Sequence, residues 1–388
     1  MANVEKDPTL IHAPGIYLGM GEEEYHADMA LGSTDLKLLA KRPWVWQRGR
    51  MRPSTRKVTE DMKWGTALHV RVLEGKEVFE TRYETKPVPE DFGKVGTEVL
   101  VTVDHLKDFL KTRSATTSKM RKGELIDAVK TYLDHPIIFD DEMEKWLATP
   151  RVNPDFAIDP DKMLEIEDSV FFLESDEILS AIMTAGSLTG GAAEVSVFYE
   201  DRGVRRKFRL DYAIPPIGSL TCATIADLKS FAQFRGPNSE EAALHTLVMM
   251  DYDIQCIDYL NGFERGRLLQ HEGKVFGNVD GKWVTNKEAP IEPFEGYTEK
   301  LFQAEEIQWL WIMVHKDGGF QPVTLVFRRD YPEYASDQHF GEIEQLCSDG
   351  IENYLEYMQK YGPDVLWPAP SRVPLLVTGA VLPTYRNR

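Results

Sequence analysis

Asp227-Leu228-Lys229 sets a carboxylate and an ammonium two residues apart inside the run Thr224-Ile225-Ala226-Asp227-Leu228-Lys229-Ser230. The run reads as a buried strand. Strand side chains alternate faces, so Asp227 and Lys229 project to the same side. A carboxylate beside an ammonium on one rigid strand can hold a divalent metal and a water next to a phosphate. The chemistry this points to is phosphodiester hydrolysis.

The tripeptide alone is not specific. Asp-x-Lys also occurs at Asp35-Leu36-Lys37, Asp61-Met62-Lys63 and Asp280-Gly281-Lys282. The first two lie in helical, polar contexts, and Asp-Gly in the third favours a hairpin turn. Only the copy at 227–229 has a strand around it and an acidic strand just before it. Glu194–Tyr199 and Lys207–Tyr212 alternate across Glu200-Asp201-Arg202-Gly203, which predicts a hairpin carrying Glu194 and Asp211. Hairpin, strand and helix can then gather three carboxylates and a lysine around one point.

Hard oxygen ligands of this kind suit Mg²⁺ or Mn²⁺. The backbone carbonyl of Leu228 is a further available ligand. Lys229 could orient or deprotonate a water, or stabilise a charged transition state. On the next predicted helix, Gln255 and Tyr259 are four apart and share a face. They can contact phosphate oxygens or hold the lysine; the plainer alternative for Tyr259 is core packing. His69 shares a face with Gly65 on a predicted helix over 63–73 that Gly75 stops. Its imidazole is either a metal ligand beside the carboxylates or a satisfied core histidine.

The rest of the chain must position these groups. Its 388 residues can bury a large core in two or three domains. Composition is that of a soluble globular protein, and no apolar run is long enough for a bilayer. The start lacks signal-peptide character, so the expected location is cytoplasmic, with no membrane partner. Three isolated cysteines, Cys222, Cys256 and Cys347, exclude a four-thiolate iron–sulfur cluster and read as core residues. A net charge of −18 argues against a broad basic nucleic-acid surface but not a narrow one. Cations concentrate at 41–57 (Lys41, Arg42, Arg48, Arg50, Arg52, Arg56, Lys57) and at Arg202, Arg205, Arg206, Lys207 and Arg209. Each cluster is a nucleic-acid contact or a solvated face.

Residues 1–14 read as a loose tail, and Ser33-Thr34-Asp35 as a helix cap. Residues 1–77 are expected to be a helical N-terminal part, and 78–165 a charged helical insertion. Within it, 101–132 weakly resembles the SAP helix–extension–helix module, which in other proteins binds DNA. A plain helical insertion reads equally well. Residues 163–187 read as a long helix, and 166–388 as the core with a late hairpin and helix.

Taken in order, the motifs resemble a family. Trp64-Gly65-Thr66-Ala67-Leu68-His69, Glu194-Val195-Ser196-Val197, Arg209-Leu210-Asp211, Asp227-Leu228-Lys229 and Gln255-x-x-x-Tyr259 resemble the exonuclease VIII (RecE-like) and RecB-type nucleases. Gly15-Ile16-Tyr17, Glu24-Tyr25-His26 and Ser33-Thr34-Asp35-Leu36 look like the start of RecE-type domains. The resemblance implies an α/β fold: a PD-(D/E)xK, restriction-endonuclease-like core with a central mixed sheet flanked by helices. It implies His69, Asp211, Asp227 and the Leu228 carbonyl as metal ligands for two Mg²⁺ or Mn²⁺ ions, and Lys229 as catalytic. Glu194 matches an acidic position near the metals, and Gln255 and Tyr259 a supporting helix. The implied activity is 5′→3′ exonuclease action on double-stranded DNA ends, in phage or prophage recombination. Implied partners are a RecT-like single-strand annealing protein and further copies in a ring. A RecB-like nuclease on single-stranded or flap DNA, or a non-catalytic scaffold keeping the fold, are the alternatives.

Overall fold

Residues 192–231 form three consecutive antiparallel strands, and the sheet grows outward from them. A computed structural model describes residues 10–52, 59–93, 99–133, 135–150, 152–218, 220–232, 238–316, 319–334 and 337–370. The first nine tail residues, Arg56 and Lys57 of the first basic cluster, the Gly236-Pro237 loop and Asp317-Gly318 lie outside the described residues.

The sheet strands are β1 (Gly15–Leu18), β2 (Ala192–Asp201), β3 (Val204–Ile214), β4 (Ala223–Phe231), β5 (Val275–Val279), β6 (Lys282–Thr285), β7 (Ile307–His315) and β8 (Pro322–Phe327). Their spatial order is β6-β5-β1-β2-β3-β4-β7-β8. β1 runs parallel to β5, and β4 parallel to β7; the other neighbours are antiparallel. The fold class is therefore α/β, a central mixed sheet flanked by helices, as the sequence implies. In the N-terminal part, β1 lies inside the sheet beside the helices expected there. The β2–β3 turn is built by Arg202 and Gly203, both at positive φ (52° and 77°). Two such residues match the twist of a tight hairpin.

Helices cover both faces. We label α1 (Ser33–Lys41), α2 (Glu60–His69), α3 (Val103–Lys111), α4 (Lys122–Tyr132), α5 (Pro160–Ser175), α6 (Tyr252–His271) and α7 (Gln338–Tyr361). On one face α1, α6 and α7 bury Leu36, Leu39, Ile257, Phe263 and Ile351 against Val195, Val197 and Phe208. On the other, α2 and α5 bury Trp64, Leu68, Ile166 and Leu173 against Ile214, Ala226 and Leu228. Gly262 lets α6 approach the sheet closely, since a Cβ there would come within 2.6 Å of the Phe208 ring. All three cysteines are buried and free. Among the described residues no helix is long and apolar enough to cross a membrane.

Four expectations change. The helix over 63–73 stops at His69, and Val70–Glu74 is a wider π turn before Gly75. That turn carries Arg71 inward, where it meets Glu167 at 3.0 Å and the Gly186 carbonyl at 3.3 Å. The helix expected over 163–187 ends at Ser175. Asp176 accepts from the N–H groups of Ile178 and Leu179, and a short hairpin follows around Ala185-Gly186, both at positive φ. Phe171 on this helix is 63% exposed. The insertion leaves and returns at a parallel ladder of Glu84-Thr85 with Ala157-Ile158. Phe79, Tyr83 and Ile158 therefore belong to the sheet's second core, and the protruding part is narrower than 78–165.

The fourth change concerns charge. Arg202–Arg209 is neither a solvated face nor an open cationic surface. Arg205 pairs with Asp28 at 2.9 Å, and buried Arg206 with buried Asp258 at 2.7 Å. Lys207 donates to the Tyr25 and Asp28 carbonyls. Asp28 also ties down His12, which belongs to the expected loose tail but is buried, 3.0 Å from both Asp28 and Glu24. Burial works against a charged His12, but the hydrogen bonds and charges of Asp28 and Glu24 outweigh it and raise its pKa. The stabilisation from that raised value is complete below the ordinary value near 6.5. It disappears as pH climbs through the folded value. His12→Gln should therefore lower the thermal midpoint more at pH 6 than at pH 9. Equal losses at both would contradict the charged pairing.

Candidate functional site

The β3–β4 ladder pairs Ile214 with Thr224, Ala213 with Ile225 and Tyr212 with Ala226, and then stops. The next residue on each strand is acidic: Asp211 and Asp227. The β2–β3 ladder is interrupted in the same row, pairing Ala193 with Tyr212 and Val195 with Leu210 but skipping Glu194 and Asp211. Three neighbouring strands thus each present one carboxylate where the sheet opens. Glu194 has φ of 60°, a left-handed conformation that a non-glycine residue holds only when its surroundings impose it.

The same row breaks the two-residue alternation. Val195, Phe208 and Leu210 face the core under α6, whereas one row on Ala193 and Tyr212 face the core under α2. Asp211 sits at this change of face, so side chains from both helix layers reach it. From α2, His69 Nδ1 lies 3.8 Å from Asp211 Oδ2. From α6, Gln255 Nε2 donates to Asp227 Oδ1 at 3.3 Å. Lys229 lies between the carboxylates, with Nζ 2.7 Å from Asp227 Oδ1 and 3.6 Å from Asp211 Oδ2. The Leu228 carbonyl faces the His69 imidazole, and its N–H faces Asp211.

Electrostatics follow from this crowding. Burial and the neighbouring Asp211 push the Asp227 carboxyl up to about 7, against the pull of Lys229. Asp211 moves the other way: Lys229, His69 and the Leu228 N–H outweigh its burial and hold it low. The two carboxyls thus share one proton over the acid range, and Asp227 carries it. Burial opposes charge on Lys229, but both carboxylates raise its pKa, so it is an ammonium at neutral pH. Burial lowers the His69 pKa and keeps the imidazole neutral. Glu194 is pushed up to about 8 by burial and by like charges on Asp211, Glu74 and Glu22, although Arg209 pairs with it.

Could these residues hold a metal? Asp211 Oδ2 and Asp227 Oδ2 are both buried with no hydrogen-bond partner. A buried carboxylate oxygen without a donor is costly, and a cation is the partner its chemistry suits. A neutral imidazole and a backbone carbonyl beside them complete a donor set for a hard divalent ion. Among the described residues no three His, Cys, Asp or Glu side chains converge closely enough to form a metal-holding group unaided. The Leu228 carbonyl and solvent would have to supply the remaining ligands.

The predicted residues do not all arrive equally. Asp211, Asp227, Lys229, Leu228, His69 and Gln255 meet at one point. Glu194 adjoins them but is turned toward Arg209. Tyr259 lies deeper, its ring 5.5 Å from Phe208 and 5.8 Å from Trp309. Among the described residues it makes no hydrogen bond to the carboxylates, so its position is that of a packing residue under the site. Gly65 has open space where a Cβ would sit, which leaves room near His69.

Two residues were not singled out from the sequence. Tyr252 lies three before Gln255 on α6, and Lys229 Nζ stands 5.2 Å from its ring centre. The helical spacing Tyr252, Gln255, Tyr259 carried that signal. Lys37 on α1 feels the charges of Lys229 and Asp227, while burial lowers its pKa. No pattern in the sequence links it to the site.

No family model matches the chain, and no curated protein matches it. Among solved structures, a candidate exonuclease from Eubacterium rectale aligns at 12% identity and a TM-score of 0.23, covering 77% of this chain and 88% of its own. The protein SSO0001 aligns at 13% identity and a TM-score of 0.21, covering 64% and 83%. Similarity this low leaves the site's own geometry to carry the functional argument.

The raised Asp227 pKa sets a test of the shared-proton arrangement. A carboxyl whose folded value near 7 exceeds its ordinary value weighs against the fold as pH rises through that interval. With EDTA present, Asp227→Asn should melt higher than wild type at pH 8, and the gain should vanish by pH 4. A variant that melts lower at pH 8 would overturn it.

Proposed function

We propose that the chain is a metal-dependent nuclease that hydrolyses DNA phosphodiester bonds. The observation that carries this reading is the pair of buried carboxylates Asp211 and Asp227, whose Oδ2 atoms lack a hydrogen-bond donor, gathered around a charged Lys229. A scaffold has no use for such a costly cluster. Asp211, Asp227, the Leu228 carbonyl and His69 would hold Mg²⁺ or Mn²⁺, with Glu194 the nearest further carboxylate for a second ion. When bound, the ion would polarise the phosphate and lower the pKa of water.

The chain's own residues account for the rest. Lys229, fixed as an ammonium, is a donor rather than a base, suited to the charge that gathers on phosphate oxygens during attack. Gln255 fixes the Asp227 carboxylate, and the Tyr252 ring lies beside the lysine. Neutral His69 completes the donor set without adding a repelling charge.

The finer reading is exonuclease action on double-stranded DNA ends in the 5′→3′ direction, yielding single strands for recombination. It follows from the family resemblance described above, and from that resemblance come the RecT-like partner and the ring of copies.

End-labelled linear duplex with Mg²⁺ tests both levels. Wild type should release mononucleotide early from the 5′ label only, be silent in EDTA and leave closed circles intact. Lys229→Ala should cut the rate about 10²–10³-fold, the scale for losing one transition-state donor. Equal digestion by mutant and wild type would sink the catalytic assignment. Release from the 3′ label first would reverse the polarity and leave the chemistry standing.

A further inference from the structure

The β2–β3 hairpin, α6 and α7 leave a cleft of about 220 Å³ between them. Asp258, Asn261 and Arg265 form its α6 wall, spaced three and four apart so that they share one face. Arg202 and Arg206 come from the hairpin, and Ser348 from α7. No residue of the carboxylate–lysine site lines it.

The buried wall is an ion pair with capacity to spare. Arg206 and Asp258 are 2% and 3% exposed. Arg206 Nη2 donates to Asp258 Oδ1 at 2.7 Å, and Nε to the Leu31 carbonyl at 3.1 Å. Among the described residues Nη1 has no hydrogen-bond partner. Asp258 Oδ2 is buried and has none either. A buried carboxylate oxygen without a donor is a demand that folding alone does not explain. The neighbouring carboxylate Glu344 makes no such demand. It accepts from Arg329 at 2.8 Å, Tyr334 at 2.9 Å and Asn261 at 3.0 Å. The Arg206–Asp258 pair therefore presents an acceptor beside a donor.

The rim carries guanidiniums that are loosely held. The Arg265 side chain is 49% exposed, and its carboxylate partner, Asp201, stands 3.6 Å away, too far for a hydrogen bond. Arg202 Nη1 donates to Ser348 at 3.1 Å and to Glu352 at 3.3 Å. Its Nε stands 3.9 Å from the same Asp201. Two guanidiniums flank that one carboxylate, and their planar forks fit phosphate.

A ligand that satisfies both ends is small, donates an N–H inward with an acceptor beside it, and carries an anion outward. The cleft is smaller than the roughly 300–1,000 Å³ of sites that enclose drug-sized molecules, so it takes neither a strand nor a duplex. An amino group next to a ring nitrogen, as on adenine or cytosine, complements Asp258 Oδ2 beside Arg206. A phosphate complements Arg202 and Arg265.

We propose that this cleft binds a nucleoside monophosphate, with its base against Arg206–Asp258 and its phosphate on Arg202 and Arg265, apart from the carboxylate–lysine site. The choice of a nucleotide rests on the nuclease reading, since such an enzyme releases nucleotides. The test does not use cleavage.

The test is isothermal titration calorimetry of the full chain in EDTA with dAMP, deoxyadenosine and deoxyribose 5-phosphate. dAMP should bind, and each fragment should bind at least about tenfold more weakly, because each lacks one of the two ends. Arg265→Gln should weaken dAMP about tenfold and leave deoxyadenosine unchanged. Ser348→Trp should fill the cleft and abolish binding. Asp227→Asn, in the other site, should bind dAMP like wild type. Asp258→Asn would leave the buried Arg206 charge unpaired and endanger the fold. Arg265→Gln, on the exposed rim, is therefore the deciding variant.

No binding of dAMP, or equal binding of deoxyribose 5-phosphate, would overturn the inference. So would binding that is lost in Asp227→Asn and kept in Arg265→Gln, which would seat the nucleotide among the carboxylates. A chain that degrades duplex with Mg²⁺ but binds no dAMP leaves the nuclease reading standing alone. A chain that binds dAMP through Arg265 yet leaves duplex intact would keep the cleft and remove that reading.

Discussion

An ammonium between two carboxylates is the interaction on which the rest of this molecule turns. Asp211 and Asp227 occupy adjoining strands where the ladder ends, and burial makes a double negative charge there untenable. Lys229 stands 2.7 Å from one and 3.6 Å from the other, which leaves a single proton to be shared. Apart from that shared proton, one oxygen of each carboxylate has no hydrogen-bond donor. A fold selected for stability alone would replace such a group with packed apolar side chains.

The sheet must be broken to make this place. In a regular ladder the backbone groups of Asp211 and Asp227 would pair, and each side chain would belong to one helix layer. Here Glu194 turns left-handed, Asp211 goes unpaired, and the side-chain alternation slips by one residue. Both layers can then contribute: His69 from α2 and Gln255 from α6. The glycine that lets α6 lie close on Phe208, and the Arg71 anchor that seats the turn after His69, hold those two helices against the gap.

Charge is distributed unevenly for related reasons. The hairpin cations at 205–209 look in sequence like a surface patch, yet they neutralise buried or half-buried acids and tie His12, Tyr25, Asp28 and Leu31 to the sheet. Pairing consumed them.

Much of the site was legible in the chain. Asp211, Asp227, Lys229 and Gln255 follow from strand and helix periodicities, which are local properties of spacing. Tyr252 obeyed the same helical rule. The hairpin turn at Arg202-Gly203 was readable from residue types, since few side chains tolerate positive φ. Other features depend on partners distant in sequence. No local pattern reveals that Arg206 meets Asp258 or that Tyr259 packs under the site. The helix expected over 163–187 ends early for a local reason: the Asp176 carboxylate accepts from the Ile178 and Leu179 N–H groups and turns the chain. The sequence determined which groups the site contains, because their types and spacing are written locally. Tertiary structure decided how they meet, because only the parted strands bring both helix layers to one pair of carboxylates.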